Sequence, residues 1–506
     1  MTKKQFLVLS ISIKKYLKRA IMLFEVFEKN CIESKDKIAL FTKGRSYTYK
    51  ELLEYTNTLA SNIEYIGSSE ITPIGLAFPN NVEFIALIFA NISFKRPSIL
   101  FGASLKAQEI AYHVKNLGVR IMLASPLLRH ILEEAGGTKL EYFTSTIDYW
   151  SFDVDYKPIF REGDFICQFT SGTNGIPKAV VRTEDAVWSQ ITDTSKRIGL
   201  TKDDNVLNIP PMHHAYGLIG GVLMALSQGA ALALNNGFMP ADVIDIIQKN
   251  KISILFAVPF MYNILNQYFK NMDPQKQQLV NLSSLRLCLS GGARMPEEIA
   301  KEFYNNFKKQ VCQNYGSTET GVMCINLDPE SRFESVGLPF GDRQMQAFDE
   351  SGNQLPPDSI GEIWFKSKAT ARAYIYPEEL NSAMFSKGWY KTGDLGKVDK
   401  DGYVYLTGRK YSMINVAGLK VDPVEVENII LKLNGIIETV VIGIPHEMSG
   451  QVVKAFVVAS DGIKEIDIIN HCRKELADFK VPRVICLIDK LPKTETGKVL
   501  KKYLIK

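Results

Sequence analysis

The sequence predicts an α/β fold: a large N-terminal domain of α/β subdomains with a β-rich subdomain, followed by a small α+β C-terminal lid domain. Three observations predict it. The chain has 506 residues, and single cores stop growing near ~250–300 residues. Short apolar runs alternate with stretches of helical spacing through most of the chain. After about Gly341 that rhythm gives way to short runs punctuated by glycine. The boundaries read as 1–21 for an N-terminal extension, 22–407 for the large domain and 408–506 for the mobile C-terminal domain.

The elements follow in order. Ile74 to Phe78 reads as a strand and Val82 to Ile92 as a helix. Arg120 to Ala124 and Leu127 to Ala135 repeat the pair, as do Ile252 to Val258 with Met261 to Phe269, and Leu285 to Ser290 with Pro296 to Phe307. Strand, short loop, helix, strand argues for largely parallel sheets. Gly352, Gly361, Gly388, Gly393 and Gly402 separate short strands such as Gly361 to Phe365 and Tyr403 to Leu406, the texture of a β-rich unit. The last ~100 residues, a plausible small domain, hold helices at Pro423 to Leu433 and Ile466 to Leu476 and strands at Thr439 to Ile444 and Val452 to Val458. A large body with a small lid places a site between them.

Composition excludes several classes. The net charge of +5 is weak for this length, so bulk charge gives no case for nucleic acid. The seven cysteines are scattered and form no Cys-x-x-Cys pair, which reads as a reduced, cytoplasmic protein without structural zinc. No eighteen-residue apolar run appears, so no transmembrane segment is expected. Phe6 to Ile13 is apolar and is followed by Lys14, Lys15, Lys18 and Arg19, the wrong order for a signal peptide. The extension reads as a start-site artefact or a real segment, with a membrane-surface anchor as a third reading.

Several motifs carry chemistry. Thr170 to Lys178 reads TSGTNGIPK. Gly172 and Gly175 let the backbone approach a ligand. Thr170, Ser171 and Thr173 supply hydroxyls, Asn174 a further hydrogen-bonding side chain, and Lys178 a positive charge. Many donors with little bulk suit a polyphosphate, although the spacing is not that of a Walker loop. Pro211 to Gly217 reads PMHHAYG, Gly291 to Pro296 GGARMP, Tyr315 to Glu319 YGSTE and Tyr390 to Asp394 YKTGD. Gly408 to Glu427 reads GRKYSMINVAGLKVDPVEVE, and Pro492 to Lys498 PKTETGK. Taken alone, each of these would be a polar turn, a capped helix start or a solvated basic tail.

In this order and spacing the motifs resemble the adenylate-forming superfamily: acyl-CoA and aryl-CoA ligases, luciferases and peptide-synthetase adenylation domains. The resemblance runs over roughly Phe24 to Leu504. It implies that Thr170, Ser171, Gly172, Thr173, Asn174, Gly175 and Lys178 bind the phosphates of ATP. Gly292 and Ala293 would border the adenine and the acyl pocket. Tyr315, followed by Gly316, would flank the adenine, whose flat face suits an aromatic ring. Thr318 would bond the α-phosphate and Glu319 would bind Mg²⁺, a hard cation that takes carboxylate and phosphate oxygens. Asp394 would accept both ribose hydroxyls, and Arg409 would contact ribose or phosphate. His214 would line the carboxylate and acyl pocket. Lys498 would be the swinging catalytic lysine, and Gly418 would shape the tunnel for a thiol. His213 has no role that the resemblance assigns.

Departures from the family pattern are local. Asn174 replaces Thr or Ser, Ala179 replaces Gly, and Tyr411 with Ser412 stands where the hinge Asp or Lys is usual. Adenylation domains for amino acids usually carry an Asp after the position of His214; here Ala215 follows, which disfavours an amino acid. The resemblance implies ATP-dependent activation of a fatty or aryl acid to an acyl-adenylate, then transfer to coenzyme A. Met212 and Tyr216 suit either an alkyl chain or a ring. Loading of a separate carrier protein is the alternative acceptor, and a binding-only homologue without catalysis is the reading from another class.

Overall fold

The computed structural model describes residues 22–64, 72–170, 178–235, 237–410, 413–416, 419–446, 449–494 and 499–504. Ser171, Gly172, Thr173, Asn174, Gly175, Tyr411, Ser412, Gly418, Lys498 and the extension 1–21 lie outside them.

Two large mixed sheets form the body. The nine-stranded sheet runs in the spatial order 338–339, 321–325, 311–317, 287–290, 254–257, 205–208, 231–234, 38–41, 46–48. Its six central strands are parallel and its edge strands antiparallel. The eight-stranded sheet runs 373–376, 178–183, 164–170, 98–101, 74–77, 121–124, 147–152, 137–144. Central strands such as Ile74–Ala77, Ile254–Ala257 and Leu287–Ser290 are buried at every position. That explains why they read as continuous apolar runs rather than alternating ones.

Between the sheets lies a helical layer. Helices Met22–Glu33, Tyr49–Glu64, Val82–Ser93 and Glu184–Ile198 share one core with side chains of both sheets. Val82–Ser93 is apolar nearly all round because it is covered on every side; Phe89 stacks on Phe27 at 3.8 Å between ring centroids. Asn81 caps its start by accepting from the Phe84 amide at 3.0 Å, a stop to fraying that apolarity alone would not supply.

The β-rich unit is an antiparallel sheet of 344–348, 361–366, 389–398, 385–386 and 404–409. The C-terminal unit pairs 419–421, 414–416, 450–459, 436–446 and 484–487 beneath helices Pro423–Leu431 and Glu465–Glu475. The α/β body, β-rich portion and small C-terminal domain are thus as expected. The strand Val404–Arg409 runs across position 408, and the C-terminal sheet begins at Ile414. Gly408 and Arg409 therefore belong to the β-rich sheet by pairing, with Asp394 opposite Arg409. The expected helix Leu127 to Ala135 splits into a 3₁₀ turn, Pro126–Leu128, and a short helix, Arg129–Glu134.

Strand order reverses at Asn205–Asn208. The next strand in sequence lies on one side of it, 231–234, and the one after on the other, 254–257. Ligands of open α/β sheets bind outside the carboxyl ends of strands at such a reversal. The segment leaving that end is Pro210 to Tyr216, which carries the histidine motif.

The opposite end of the same sheet is held by one carboxylate. Asp204 accepts from Arg286 Nε and Nη2, each at 2.8 Å, from Ser253 Oγ at 2.7 Å and from the Thr201 amide at 2.9 Å. Burial opposes its charge, but the Arg286, Ser253 and Thr201 bonds outweigh it and hold its pKa at about 2. An unfolded Asp titrates near ~3.9, so this contribution is complete above that pH and is lost as pH falls through about 2. Asp204→Asn is expected to cost about 1–3 kcal/mol at neutral pH. Thermal midpoints of the two proteins should differ at pH 7 and draw together as pH falls from ~4 to about 2; equal midpoints at pH 7 would remove the network from the stability of the sheet.

Candidate functional site

The strand Val311–Ser317 and its neighbour Gly321–Ile325 form a tight antiparallel turn through Thr318, Glu319 and Thr320. The motif YGSTE is therefore the tip of a hairpin, not the start of a helix. A Cβ on Gly316 would lie 2.3 Å from the Gly321 carbonyl, so only glycine allows the strands to close. Thr320 Oγ1 accepts from the Ser317 amide at 3.2 Å and donates to the Gly321 carbonyl at 3.0 Å. Thr318 is half-buried in this turn.

Asp394 joins the hairpin to the β-rich sheet. Its Oδ2 accepts from the Tyr315 hydroxyl at 2.5 Å and its Oδ1 from Arg409 Nε at 2.6 Å. Thr392 Oγ1 donates to the Ile363 carbonyl at 2.6 Å and accepts from the Asp394 amide at 3.0 Å. Gly393 between them has φ +72°, a left-handed backbone that glycine adopts without strain. The motif YKTGD is a kinked strand that aims a carboxylate at Tyr315. Burial raises the Tyr315 pKa, and the Asp394 charge adds to it; the same charge is the largest cause raising that of Arg409. Each carboxylate oxygen has a second lone pair, so the pair of bonds leaves acceptor capacity for a diol.

Glu319 is buried and its side chain is already oriented. Its Oε1 accepts from the Tyr374 hydroxyl at 2.7 Å, and that hydroxyl lies 3.1 Å from the hydroxyl of Tyr390. Its carbonyl accepts from the Ala371 amide at 2.6 Å. Lys178 Nζ sits 5.3 Å from the centre of the Tyr374 ring, a cation–π distance. Burial raises the pKa of Tyr374, with Glu319 adding to it; both phenols stay protonated as donors. Behind them, fully buried Arg182 donates to Gln190 Oε1 at 2.6 Å and to the Ala369 carbonyl at 2.7 Å. Burial lowers the Arg182 pKa most, Arg343 lowers it further, and Glu319 opposes both.

Thr170 and Lys178 are direct partners across the antiparallel strands 164–170 and 178–183. The two ends of the glycine-rich segment thereby face each other beside Tyr374. His214 opens the turn after the reversed strand, accepting from the Leu218 amide at 2.9 Å. The His213 ring lies beside it, tilted by 46°, at 4.1 Å between centroids. A Cβ on Gly102 would lie 2.8 Å from His213 Nε2, so Gly102 makes room for that imidazole. Burial pushes its pKa down to about 4. Gly292 has φ +81°, and Gly292 and Ala293 are exposed at the carboxyl end of Leu287–Ser290. Met212 is fully buried in the main core.

The structure brings together Tyr315, Asp394 and Arg409 as one bonded group, and Lys178, Glu319 and the tyrosines as another. Tyr374 and Arg182 escaped the sequence reading. Tyr374 lies in a plain strand, Ala373–Tyr376, and reaches the site only because that strand pairs with Lys178–Thr183. An arginine inside the apolar run of that partner strand was the available signal.

Among the described residues no cluster of three or more His, Cys, Asp or Glu side chains could hold a metal. A buried carboxylate such as Glu319 near Lys178 is a donor set that fits Mg²⁺, which takes one or two carboxylates plus phosphate oxygens rather than a protein cage.

The AMP-binding enzyme family matches residues 27–375, and the AMP-binding enzyme C-terminal domain matches 425–498. The chain belongs to the AMP-binding enzyme family, whose members here are acid–thiol ligases by name. An oxalate–CoA ligase of Arabidopsis thaliana is 28% identical over 491 residues, covering 92% of this chain and 94% of that protein. A long-chain-fatty-acid–CoA ligase of Mycobacterium tuberculosis is 28% identical over 474 residues, covering 90% and 92%. The crystal structure of ATP-bound MatB from Rhodopseudomonas palustris superposes with a TM-score of 0.84 at 25% identity, covering 96% of this chain and 98% of that one. Among the described residues, no helix is long and apolar enough to cross a membrane.

Removing the Tyr374 hydroxyl tests the Glu319 group. A hydrogen bond to a charged partner contributes about 1.5–3 kcal/mol. Tyr374→Phe is therefore expected to lower acid-dependent pyrophosphate exchange about tenfold or more and to raise the Mg²⁺ concentration for half-maximal rate. An unchanged Mg²⁺ dependence would detach Tyr374 from the function of Glu319.

Proposed function

We infer that this protein activates a carboxylic acid with ATP and passes the acyl group to coenzyme A. The observation that carries the reading is the bonded group Tyr315, Asp394 and Arg409 beside the glycine-rich segment and Glu319. It combines an aromatic face, a carboxylate with acceptor capacity for a diol, and a second buried carboxylate near Lys178. That is the equipment for a nucleoside triphosphate.

In the first step a carboxylate oxygen of the acid attacks the α-phosphorus of ATP. The bond to the β-phosphate breaks, pyrophosphate leaves, and an acyl-adenylate remains. Asp394 holds the ribose hydroxyls, Tyr315 flanks the adenine, and Thr318 donates to the α-phosphate. Lys178, with the donors of 170–175, holds the departing phosphates. Glu319 would hold Mg²⁺, which would offset the negative charge of the phosphates. His214 lines the carboxylate side. Lys498, carried on the C-terminal domain, brings a positive charge to the point where two anions must meet. Lys493, near it in sequence, lies 6.0 Å from the ring of Phe260 on the large domain, which supports an approach of that segment to the acyl side.

In the second step the thiol of coenzyme A, having lost its proton, attacks the carbonyl carbon. The carbon–oxygen bond to phosphate breaks and AMP leaves. Gly418 shapes the approach of the thiol. Two steps with different groups near one carbonyl call for movement of the C-terminal domain. All seven cysteines are unpaired and six are buried, which supports a reducing, cytoplasmic setting. A fatty or aryl acid is the substrate class, since Ala215 offers no partner for an α-amino group.

Two experiments test the reading. Glu319→Ala should lower acyl-adenylate formation by roughly two to three decades, the effect of losing one charge-stabilising group; full activity at ordinary Mg²⁺ would remove Glu319 from the site. Supplying synthetic acyl-adenylate with coenzyme A separates the half-reactions. Lys498→Ala should abolish most adenylation yet keep thioester formation from the supplied adenylate, and Gly418→Leu should do the reverse. Equal loss in both steps for Lys498→Ala would overturn the division of labour, and thioester formed only on a carrier protein would replace coenzyme A as acceptor.

A further inference from the structure

The strand Ala373–Tyr376 forms one edge of the eight-stranded sheet, paired on a single side with Lys178–Thr183. An edge strand leaves main-chain donors and acceptors without a neighbouring strand. At Tyr374 a side chain takes that neighbour's place. Asn381 Oδ1 accepts from the Tyr374 amide at 2.9 Å, and Asn381 Nδ2 donates to the Tyr374 carbonyl at 2.8 Å. One carboxamide thus makes both bonds that a residue on an antiparallel partner strand would make. The chain turns back over seven positions to bring it there, in the short helix Leu380–Met384. The pairing needs an acceptor and a donor on one short stem, which asparagine has and a carboxylate lacks.

Tyr374 is buried, with 1% of its surface exposed, and packs with Val180, Ala371 and Tyr390. That packing holds the apolar body of the ring. The phenol oxygen stands at the far end of the ring from the clamped main chain, and it donates to Glu319 Oε1 at 2.7 Å. Hydrogen bonds weaken steeply with misalignment, and a small rotation of the Tyr374 backbone is magnified at its hydroxyl. Among the described residues the Asn381 side chain bonds Tyr374 alone. A continuous line of bonds therefore runs from Asn381 through the Tyr374 main chain and phenol to the carboxylate at the hairpin tip.

We propose that Asn381 is a positioning residue: by clamping the main chain of Tyr374 it sets the orientation in which Glu319 meets the divalent cation that accompanies the nucleotide. The proposal rests on the reading of Glu319 given above. Asn381 acts through the Tyr374 hydroxyl, so its loss shows in what the cation contributes to nucleotide binding.

The test is calorimetric binding of ATP to the full chain, without any acid, in Mg²⁺ and separately in EDTA. The proteins compared are the wild type, Asn381→Ala, Tyr374→Phe, their double variant and Glu319→Ala. Asn381→Ala should weaken binding in Mg²⁺ about three- to tenfold, the scale of one net hydrogen bond, and leave the affinity in EDTA largely unchanged. Added to Tyr374→Phe it should cause no further loss in Mg²⁺, because the hydroxyl it positions is already gone. Equal losses in Mg²⁺ and EDTA, or losses that add in the double variant, overturn the proposal and leave Asn381 a cap on a strand edge. A folded Asn381→Ala protein that binds as the wild type does, beside a weakened Glu319→Ala, overturns this proposal alone. Should Asn381→Ala fail to fold, Asn381→Ser decides by the same comparisons. If Glu319→Ala keeps the full gain from Mg²⁺, the reading of Glu319 falls, and this proposal with it.

Discussion

The carboxylate of Asp394 is the constraint on which the site depends. It sits where two independently built sheets meet, and it bonds Tyr315 from one and Arg409 from its own. Hydrogen bonds to a charged acceptor are the strong ones, about 1.5–3 kcal/mol each. They fix the ring of Tyr315 and the guanidinium of Arg409 before a nucleotide arrives. In the proposed reading these are the adenine face and the ribose acceptor, and held in place they lose little further freedom on binding. The kink at Gly393 and the Thr392 hydroxyl serve that single placement.

A second group repeats the principle for the phosphates. Glu319 would be a mobile surface carboxylate if it stood alone at a hairpin tip. The Tyr374 hydroxyl holds its side chain and the Ala371 amide its backbone carbonyl instead. Arg182 in turn bonds Ala369, so the segment that supplies Ala371 is anchored from below. The carboxylate is thus positioned by residues that never reach the ligand. The geometry transmits stiffness from a buried arginine to the tip of a turn.

Glycine leaves open backbone at one strand end, and an aromatic ring packs behind it. Gly291 and Gly292 leave the carboxyl end of a parallel strand without side chains. Tyr216 then fills the space behind them, bonded to the Leu289 carbonyl. The reversal of strand order at Asn205–Asn208 brings the histidine segment to the same place, because the chain leaving that strand must cross the open crevice.

The sequence by itself determined the class of fold and the chemistry. Fully buried parallel strands must be apolar at every position, so the alternation of short apolar runs and helical stretches was legible without coordinates. Motifs that bind phosphate and ribose need particular residue types at close spacing, and that too is written along the chain. Position 408 reads as the start of the C-terminal unit, and the strand Val404–Arg409 runs through it. Only the tertiary structure decided which motifs touch. Tyr315 and Asp394 are 79 positions apart and Tyr374 and Glu319 are 55 apart, and each pair meets where elements of separate sheets pack together. Local patterning records what a segment buries, not which distant segment lies opposite. The register of Ala373–Tyr376 on Lys178–Thr183, and the pinning of Tyr216 against Gly291, arise from the packing of whole sheets and from no signal that a single stretch could carry.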